Sequence, residues 1–136
     1  MKIIKKDKMI IEGVVCSGFG SASKFLRMDE YKEKIREVVG FEPYPGTLNL
    51  KVSTKTTEQI FKKAYKVEGF CKNSKKFGGF AIIPCKIKAE GKTIDGAVIF
   101  PERSKHKAVL EIISPLPLRK VLKLTDGRKV MIEIEV

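Results

Sequence analysis

The chain has 136 residues, of which 43% are hydrophobic and 32% charged. That is enough for one domain with a single hydrophobic core, too little for two complete ones, and excludes a disordered tail. Twenty-eight Lys and Arg against 16 Asp and Glu leave a net charge of +12, which favours anionic partners such as nucleic acid, nucleotides or anionic membranes and says nothing about fold.

Three cysteines, Cys16, Cys71 and Cys85, are odd in number and far apart. No zinc pair, redox dithiol or secreted disulfide framework is expected from them. The amino-terminal MKIIKKDKMIIEG has lysines but neither a long apolar run nor a small-residue cleavage site, which argues against a signal peptide. No apolar stretch is long enough to cross a bilayer as a helix. Cytoplasmic residence without a membrane partner is the expectation.

In chain order, Met9 to Val15 is a β-rich run, followed by the small residues Cys16-Ser17-Gly18-Phe19-Gly20-Ser21-Ala22-Ser23, a tight loop. Tyr31, Ile35, Val38 and Val39 then recur at helical spacing. Asp29 is suited to cap the start of that helix and Gly40 to end it. Phe41-Glu42-Pro43-Tyr44-Pro45-Gly46 is a stiff turn leading into Thr47 to Val52. There Leu48, Leu50 and Val52 alternate with Thr47, Asn49 and Lys51, the period of a strand with one buried face and a polar, solvent-side face. A second short helix is expected from Thr57 to Ala64. Phe80 to Ala89, Lys92 to Phe100, Ala108 to Ser114, Lys120 to Leu124 and Lys129 to Val136 read as strands. Glu90-Gly91-Lys92 and Thr125-Asp126-Gly127-Arg128 supply turns, the latter a tight hairpin. Six or seven strands with so few helices exclude a doubly wound α/β sheet. The fold expected is mainly β: a small closed barrel with one or two short helices in its early connections, without linker or repeat.

Four segments are candidates for chemistry. Gly18 to Ser23 can present backbone N–H groups and hydroxyls to a phosphate, although it has neither the Walker nor the dinucleotide spacing, and a purely structural turn fits it equally. Thr47 and Asn49, two apart on a strand, offer neutral oxygens suited to Mg²⁺ that also holds phosphate; alternatively they are a turn residue and a solvent-facing amide. Ser114-Pro115-Leu116-Pro117-Leu118-Arg119-Lys120 is a proline-stiffened loop ending in two cations, able to meet a base edge and an anion or simply to connect two elements. Glu111 is a carboxylate in an apolar run, sharing a face with Val109 and Ile113. It reads either as a group at a pocket rim that engages a substrate hydroxyl or as a surface residue on an edge strand. His106, the single histidine, supports no metal cluster or triad. Ser104 lies in the same charged loop. The Lys72, Lys75 and Lys76 cluster runs into Phe77-Gly78-Gly79-Phe80, which reads as a single-strand nucleic-acid surface, a lid, or a solvated loop.

Taken in order, Gly18-Phe19-Gly20-Ser21-Ala22-Ser23, Pro45-Gly46-Thr47-Leu48-Asn49-Leu50 and Pro115-Leu116-Pro117-Leu118-Arg119 resemble the archaeal CTP-dependent riboflavin kinase family. Leu122-Lys123-Leu124-Thr125-Asp126-Gly127 and Val130-Met131-Ile132 close the chain in the same manner. The resemblance covers nearly the whole chain. It implies a six-stranded cradle-loop barrel that transfers the γ-phosphoryl group of CTP to the 5′-hydroxyl of riboflavin, giving FMN and CDP. It further implies that Gly18, Phe19, Gly20, Ser21, Ala22 and Ser23, with Ser17 at the edge, bind the nucleotide phosphates. Thr47 and Asn49 would hold Mg²⁺, and Leu116, Pro117, Leu118 and Arg119 would frame the cytosine. Ser104 and Glu111 would contact the flavin, with Glu111 near the attacking hydroxyl as the catalytic group. Residues 1–136 would then be one catalytic barrel domain without the added amino-terminal DNA-binding domain of some relatives. Its partners would be riboflavin and CTP, with no obligate nucleic acid. The competing expectation is a small basic barrel that binds single-stranded nucleic acid, or a swapped-hairpin transcription factor, which would need a dimer; the sequence leaves the oligomeric state open.

Overall fold

In a computed structural model, the described residues are 7–17, 25–101 and 108–135. They form nine strands, a 3₁₀ turn and three helices: β1 (Lys8–Cys16), the 3₁₀ turn (Phe25–Arg27), α1 (Asp29–Val39), β2 (Leu48–Lys51), α2 (Thr54–Lys63), β3 (Tyr65–Val67), β4 (Phe70–Lys72), β5 (Lys75–Phe77), β6 (Phe80–Ala89), β7 (Lys92–Pro101), β8 (Val109–Ile113), α3 (Leu118–Val121) and β9 (Lys129–Glu135).

Six strands close a barrel in the order β6-β7-β8-β2-β1-β9, with β9 pairing back onto β6, every pair antiparallel. β6 changes partner along one edge: Phe80 to Ile82 pair with β3, and Lys86 to Lys88 pair with β9. Pro84 stands between the two pairings, where a residue lacking an N–H is tolerated. The expected mainly β, closed six-stranded barrel is therefore present, with three short helices rather than one or two.

Two apolar layers follow from the alternation of side chains along each strand. Inside the barrel lie Ile11, Val15, Leu48, Leu50, Ile83, Ile87, Val98, Leu110, Ile112, Ile132 and Ile134, joined by Ile60 of α2 and by Leu118, Leu122 and Leu124. Outside it, Leu26, Tyr31 and Ile35 pack on Phe80, Ile82, Ala97, Ile99 and Ile113. The outer layer explains why the amino-terminal half of β6 is buried on both faces and its second half alternates. Each buried Leu or Ile removed from water contributes roughly 1.5–3 kcal/mol.

Several local expectations change. Met28, not Asp29, is the N-cap of α1, without a side-chain cap bond; Asp29 sits in the first turn, where its charge complements the helix dipole. Gly40 ends the helix in the left-handed conformation (φ 82°) as expected. The second helix starts a turn earlier than Thr57, because the Ser53 side chain caps it by accepting from the Thr56 N–H at 3.1 Å. Lys120 to Leu124 is not a strand. Pro117 opens a helical turn instead, and the Leu124 N–H closes onto the Arg119 carbonyl at 2.8 Å.

The segment from Phe70 to Phe77 folds as the β4–β5 hairpin, turned by Asn73 and Ser74 at φ 52° and 62°. Its aromatic rings face the protein. Phe70 stacks on Phe77 and meets Tyr31 edge-on, and the Tyr31 hydroxyl donates to the Gly78 carbonyl at 2.6 Å. Lys72 is paired with Glu30 at 3.0 Å. Gly69 and Gly79 allow the hairpin's base to close, since a Cβ at Gly79 would lie 2.3 Å from the Val67 carbonyl oxygen.

Candidate functional site

One rung crosses four strands, with Cys16 opposite Asn49, Asn49 opposite Glu111, and Glu111 opposite Ile99. Residues directly opposed in a ladder share a face. Because Leu48, Leu50, Leu110 and Ile112 point into the barrel, Asn49 and Glu111 stand side by side on its outside. Both are buried, with 8% and 7% of their surface exposed. A solvent-facing Asn49 is thereby corrected, as is a surface Glu111 on an edge strand: β8 is paired on both sides. Glu111 adjoins Ile99 and Ile113 of the outer apolar layer, so the carboxylate lies where polar and apolar surfaces meet.

Thr47, just ahead of β2, turns the same way, and its hydroxyl donates to Asn49 Oδ1 at 3.5 Å. Thr47 also lines a pocket of about 290 Å³ shared with Tyr44, Leu116, Pro117, Leu118 and Arg119. The turn at Pro45 and the proline loop, distant in sequence, thus form one concavity. Its walls are fixed by named bonds: the Tyr44 N–H donates to the Ser114 carbonyl at 2.8 Å. The buried Ser114 hydroxyl donates to the Asp95 carbonyl at 3.0 Å and accepts from the Leu116 N–H at 3.3 Å. Leu118 is anchored in the barrel core, whereas Leu116 and Tyr44 remain exposed.

Ser17, at the end of β1, donates through Oγ to Asp126 Oδ2 at 2.8 Å, and Arg119 Nη2 donates to Asp126 Oδ1 at 2.9 Å. Those bonds, Ser17's first, hold the Asp126 carboxyl below the usual carboxylate range. Burial, aided by the Asp126 charge, pushes the Cys16 thiol up, so Cys16 is a protonated neighbour rather than a nucleophile. Gly18 to Ser23 and the Ser104–His106 loop lie outside the described residues.

The structure therefore brings together Thr47 with Leu116 to Arg119, Thr47 with Asn49 and Glu111, and Ser17 with Arg119. Tyr44 and Asp126, which adjoin the expected site residues, were not picked out by the sequence reading. Tyr44 read only as part of a stiff turn, although an aromatic between two prolines beside Thr47 was a signal. Asp126 read only as a turn residue, and its partner Ser17 is 109 positions away.

A larger concavity of about 720 Å³, lined in part by Phe41, Pro84, Cys85, Asp95 and Glu133, contains none of the expected site residues. Its Glu133 is engaged by Lys8 and Lys88, and burial pushes the Cys85 thiol up to about 12. The smaller pocket is the one lined by expected site residues, Thr47 and Leu116 to Arg119. Among the described residues no three His, Cys, Asp or Glu side chains form a metal cluster, and no helix is long and apolar enough to cross a membrane.

The fold is a closed six-stranded antiparallel barrel whose polar rung of Asn49 and Glu111 and adjoining pocket form a candidate small-molecule site. Residues 15–134 match the family model described as CTP-dep_RFKase, Domain of unknown function DUF120. Among similar curated proteins is a riboflavin kinase of Ignicoccus hospitalis, 34% identical over 88% of this chain and 68% of its own length. One of Methanococcoides burtonii is 38% identical over 96% of this chain and 59% of its own length. One of Methanococcus aeolicus is 33% identical over 90% of this chain and 95% of its own length. The chain belongs to the CTP-dependent riboflavin kinase family.

Proposed function

We propose that the protein transfers the γ-phosphoryl group of CTP to the 5′-hydroxyl of riboflavin, yielding FMN and CDP. The observation that carries this reading is the convergence of Thr47, Asn49 and Glu111 beside the pocket of Leu116 to Arg119. Family membership supports the kinase chemistry, and the family description supports CTP as donor.

Phosphoryl transfer asks a protein mainly to align donor and acceptor and to neutralise charge on the transferring group. Ser17 and the loop from Gly18 to Ser23 bind the phosphates, and Arg119 supplies a fixed cation beside them. Leu116, Pro117 and Leu118 frame the base, with Tyr44 as a further wall. Ser104 and Glu111 contact the flavin. The Glu111 carboxylate accepts a hydrogen bond from the 5′-hydroxyl, orienting its oxygen for attack and taking its proton as the new P–O bond forms and the bond to CDP breaks.

The residues present fit Mg²⁺. Two oxygen ligands at adjacent octahedral positions around this ion stand about 3 Å apart, near the 3.5 Å between Thr47 Oγ1 and Asn49 Oδ1. Both are neutral oxygens, as suits an ion whose remaining charge is met by phosphate. Thr47 and Asn49 would hold the metal, which when bound neutralises charge on the triphosphate. A substrate carrying four negative charges is also drawn by the net charge of +12, and a nucleotide donor agrees with a cytoplasmic site of action.

The test is FMN formation from riboflavin and Mg²⁺ with CTP, ATP, GTP and UTP supplied separately. FMN chiefly with CTP is expected. FMN with ATP instead would remove the cytosine assignment of Leu116 to Arg119 and keep the kinase. Folded protein yielding no FMN with any donor would overturn the reading.

A further inference from the structure

The Asp126 side chain grips two separate parts of the proposed nucleotide site. Its two oxygens are divided, Oδ2 accepting from Ser17 and Oδ1 from Arg119. Ser17 begins the loop assigned to the phosphates, and Arg119 ends the loop assigned to the base. We propose that Asp126 is a positioning residue for nucleotide binding, fixing Ser17 relative to Arg119 and setting the direction of the Arg119 guanidinium. The inference rests on the nucleotide reading above.

Neither turn shape nor stability requires this carboxylate. The turn is already pinned to β1 by backbone bonds, from the Gly127 N–H to the Val15 carbonyl and from the Val15 N–H to the Arg128 carbonyl, each 2.8 Å. Gly127, at φ 90°, provides the bend. The Arg119 and Asp126 side chains are 40% and 55% exposed, and ion pairs at such exposure add little to stability. An acidic side chain beside a triphosphate site also repels the ligand. Its presence there is understandable if the gain in geometry exceeds that repulsion. Arginine has five N–H donors in a rigid fork, so engaging one with Asp126 aims the fork without exhausting it.

The experiment measures KM for CTP, KM for riboflavin and Tm for wild type, Asp126→Ala and Asp126→Asn. Asp126→Ala is expected to raise KM for CTP about tenfold, the effect of losing charge-assisted hydrogen bonds. KM for riboflavin and Tm should stay at wild-type values. Asp126→Asn keeps an acceptor for Ser17 and loses the charge facing Arg119, so a smaller rise is expected; it decides the matter alone if the alanine variant does not fold. An unchanged or lower KM for CTP would mean that Asp126 merely neutralises Arg119. A rise in both KM values with a fall in Tm would mean a structural role. Either result overturns the inference while leaving the kinase reading in force. A wild-type protein that neither forms FMN nor binds CTP overturns both.

Discussion

Asn49 and Glu111 owe their proximity to register. A strand residue opposed to another on the same face lies within reach of it whatever the sequence separation, and a slip of one position would send Asn49 into the barrel among Leu48's neighbours. The Asn49 amide oxygen accepts from the Thr47 hydroxyl, and the Asn49 backbone stands opposite Glu111 in the ladder. Asn49→Ala would remove one of the two oxygens proposed to hold Mg²⁺ while leaving the β2 backbone bonds in place. The Mg²⁺ concentration for half-maximal FMN formation should rise about tenfold or more, with Tm changing far less. Wild-type turnover at limiting Mg²⁺ would show that Asn49 is no ligand. At this scale the sequence was informative about which residues stand together, because Thr47 and Asn49 share a face by simple alternation. It was uninformative about Asp126, whose bond to Ser17 joins residues 109 positions apart. It also misjudged exposure, since whether the outer face of β2 meets water depends on what packs over the barrel.

Elements with a strong internal period were legible: β6 spans Phe80–Ala89, the bounds expected, and α1 spans Asp29–Val39, ending before Gly40 as expected but starting one residue earlier than an Asp29 cap implies. Elements defined by their partners were not. Lys120 to Leu124 alternates like a strand, yet Leu122 and Leu124 reach the barrel core from a helical turn and the loop after it. The β4–β5 hairpin escaped notice because its strands are three residues each and its tight turn uses Asn73-Ser74 in place of a glycine pair. That hairpin is a brace. Through Tyr31, Phe70 and the Lys72–Glu30 pair it fastens onto α1, the helix that follows the glycine loop in sequence. Its rings are therefore committed to packing and not presented for stacking on bases, which disfavours the nucleic-acid surface considered for this segment. Tyr31→Phe keeps the ring and removes its bond to the Gly78 carbonyl. A loss of about 1 kcal/mol is expected, lowering Tm by roughly 2–8 °C. An unchanged Tm would mean that the hairpin is held by ring packing and the Lys72–Glu30 pair without the hydroxyl bond.

Closure of the whole barrel depends on joining the first strand to the last and the last to β6. Glu133 of β9 stands at that seam, its side chain one-tenth exposed, bonded to Lys8 of β1 at 2.8 Å and to Lys88 of β6 at 2.7 Å. The sequence showed enough strands for a barrel but not this seam, because Lys8 and Glu133 are related only through the closed sheet. Hydrogen bonds from Lys8 and then Lys88 lower the Glu133 pKa from its ordinary 4.5 to about 2. A carboxylate whose pKa falls on folding contributes stability that is complete above the unfolded value and disappears as pH drops through the folded one. The Glu133 contribution is therefore present at neutral pH and fades between about pH 4.5 and pH 2. Glu133→Gln, of similar shape but uncharged, should have a lower Tm than wild type at pH 7. That difference should stay constant down to about pH 5, then shrink towards zero near pH 2. Thermal melts of both proteins across this range measure it directly. A difference of the same size at pH 2 and pH 7 would mean that shape rather than charge joins the seam, and no difference at either would remove Glu133 from the closure of the barrel.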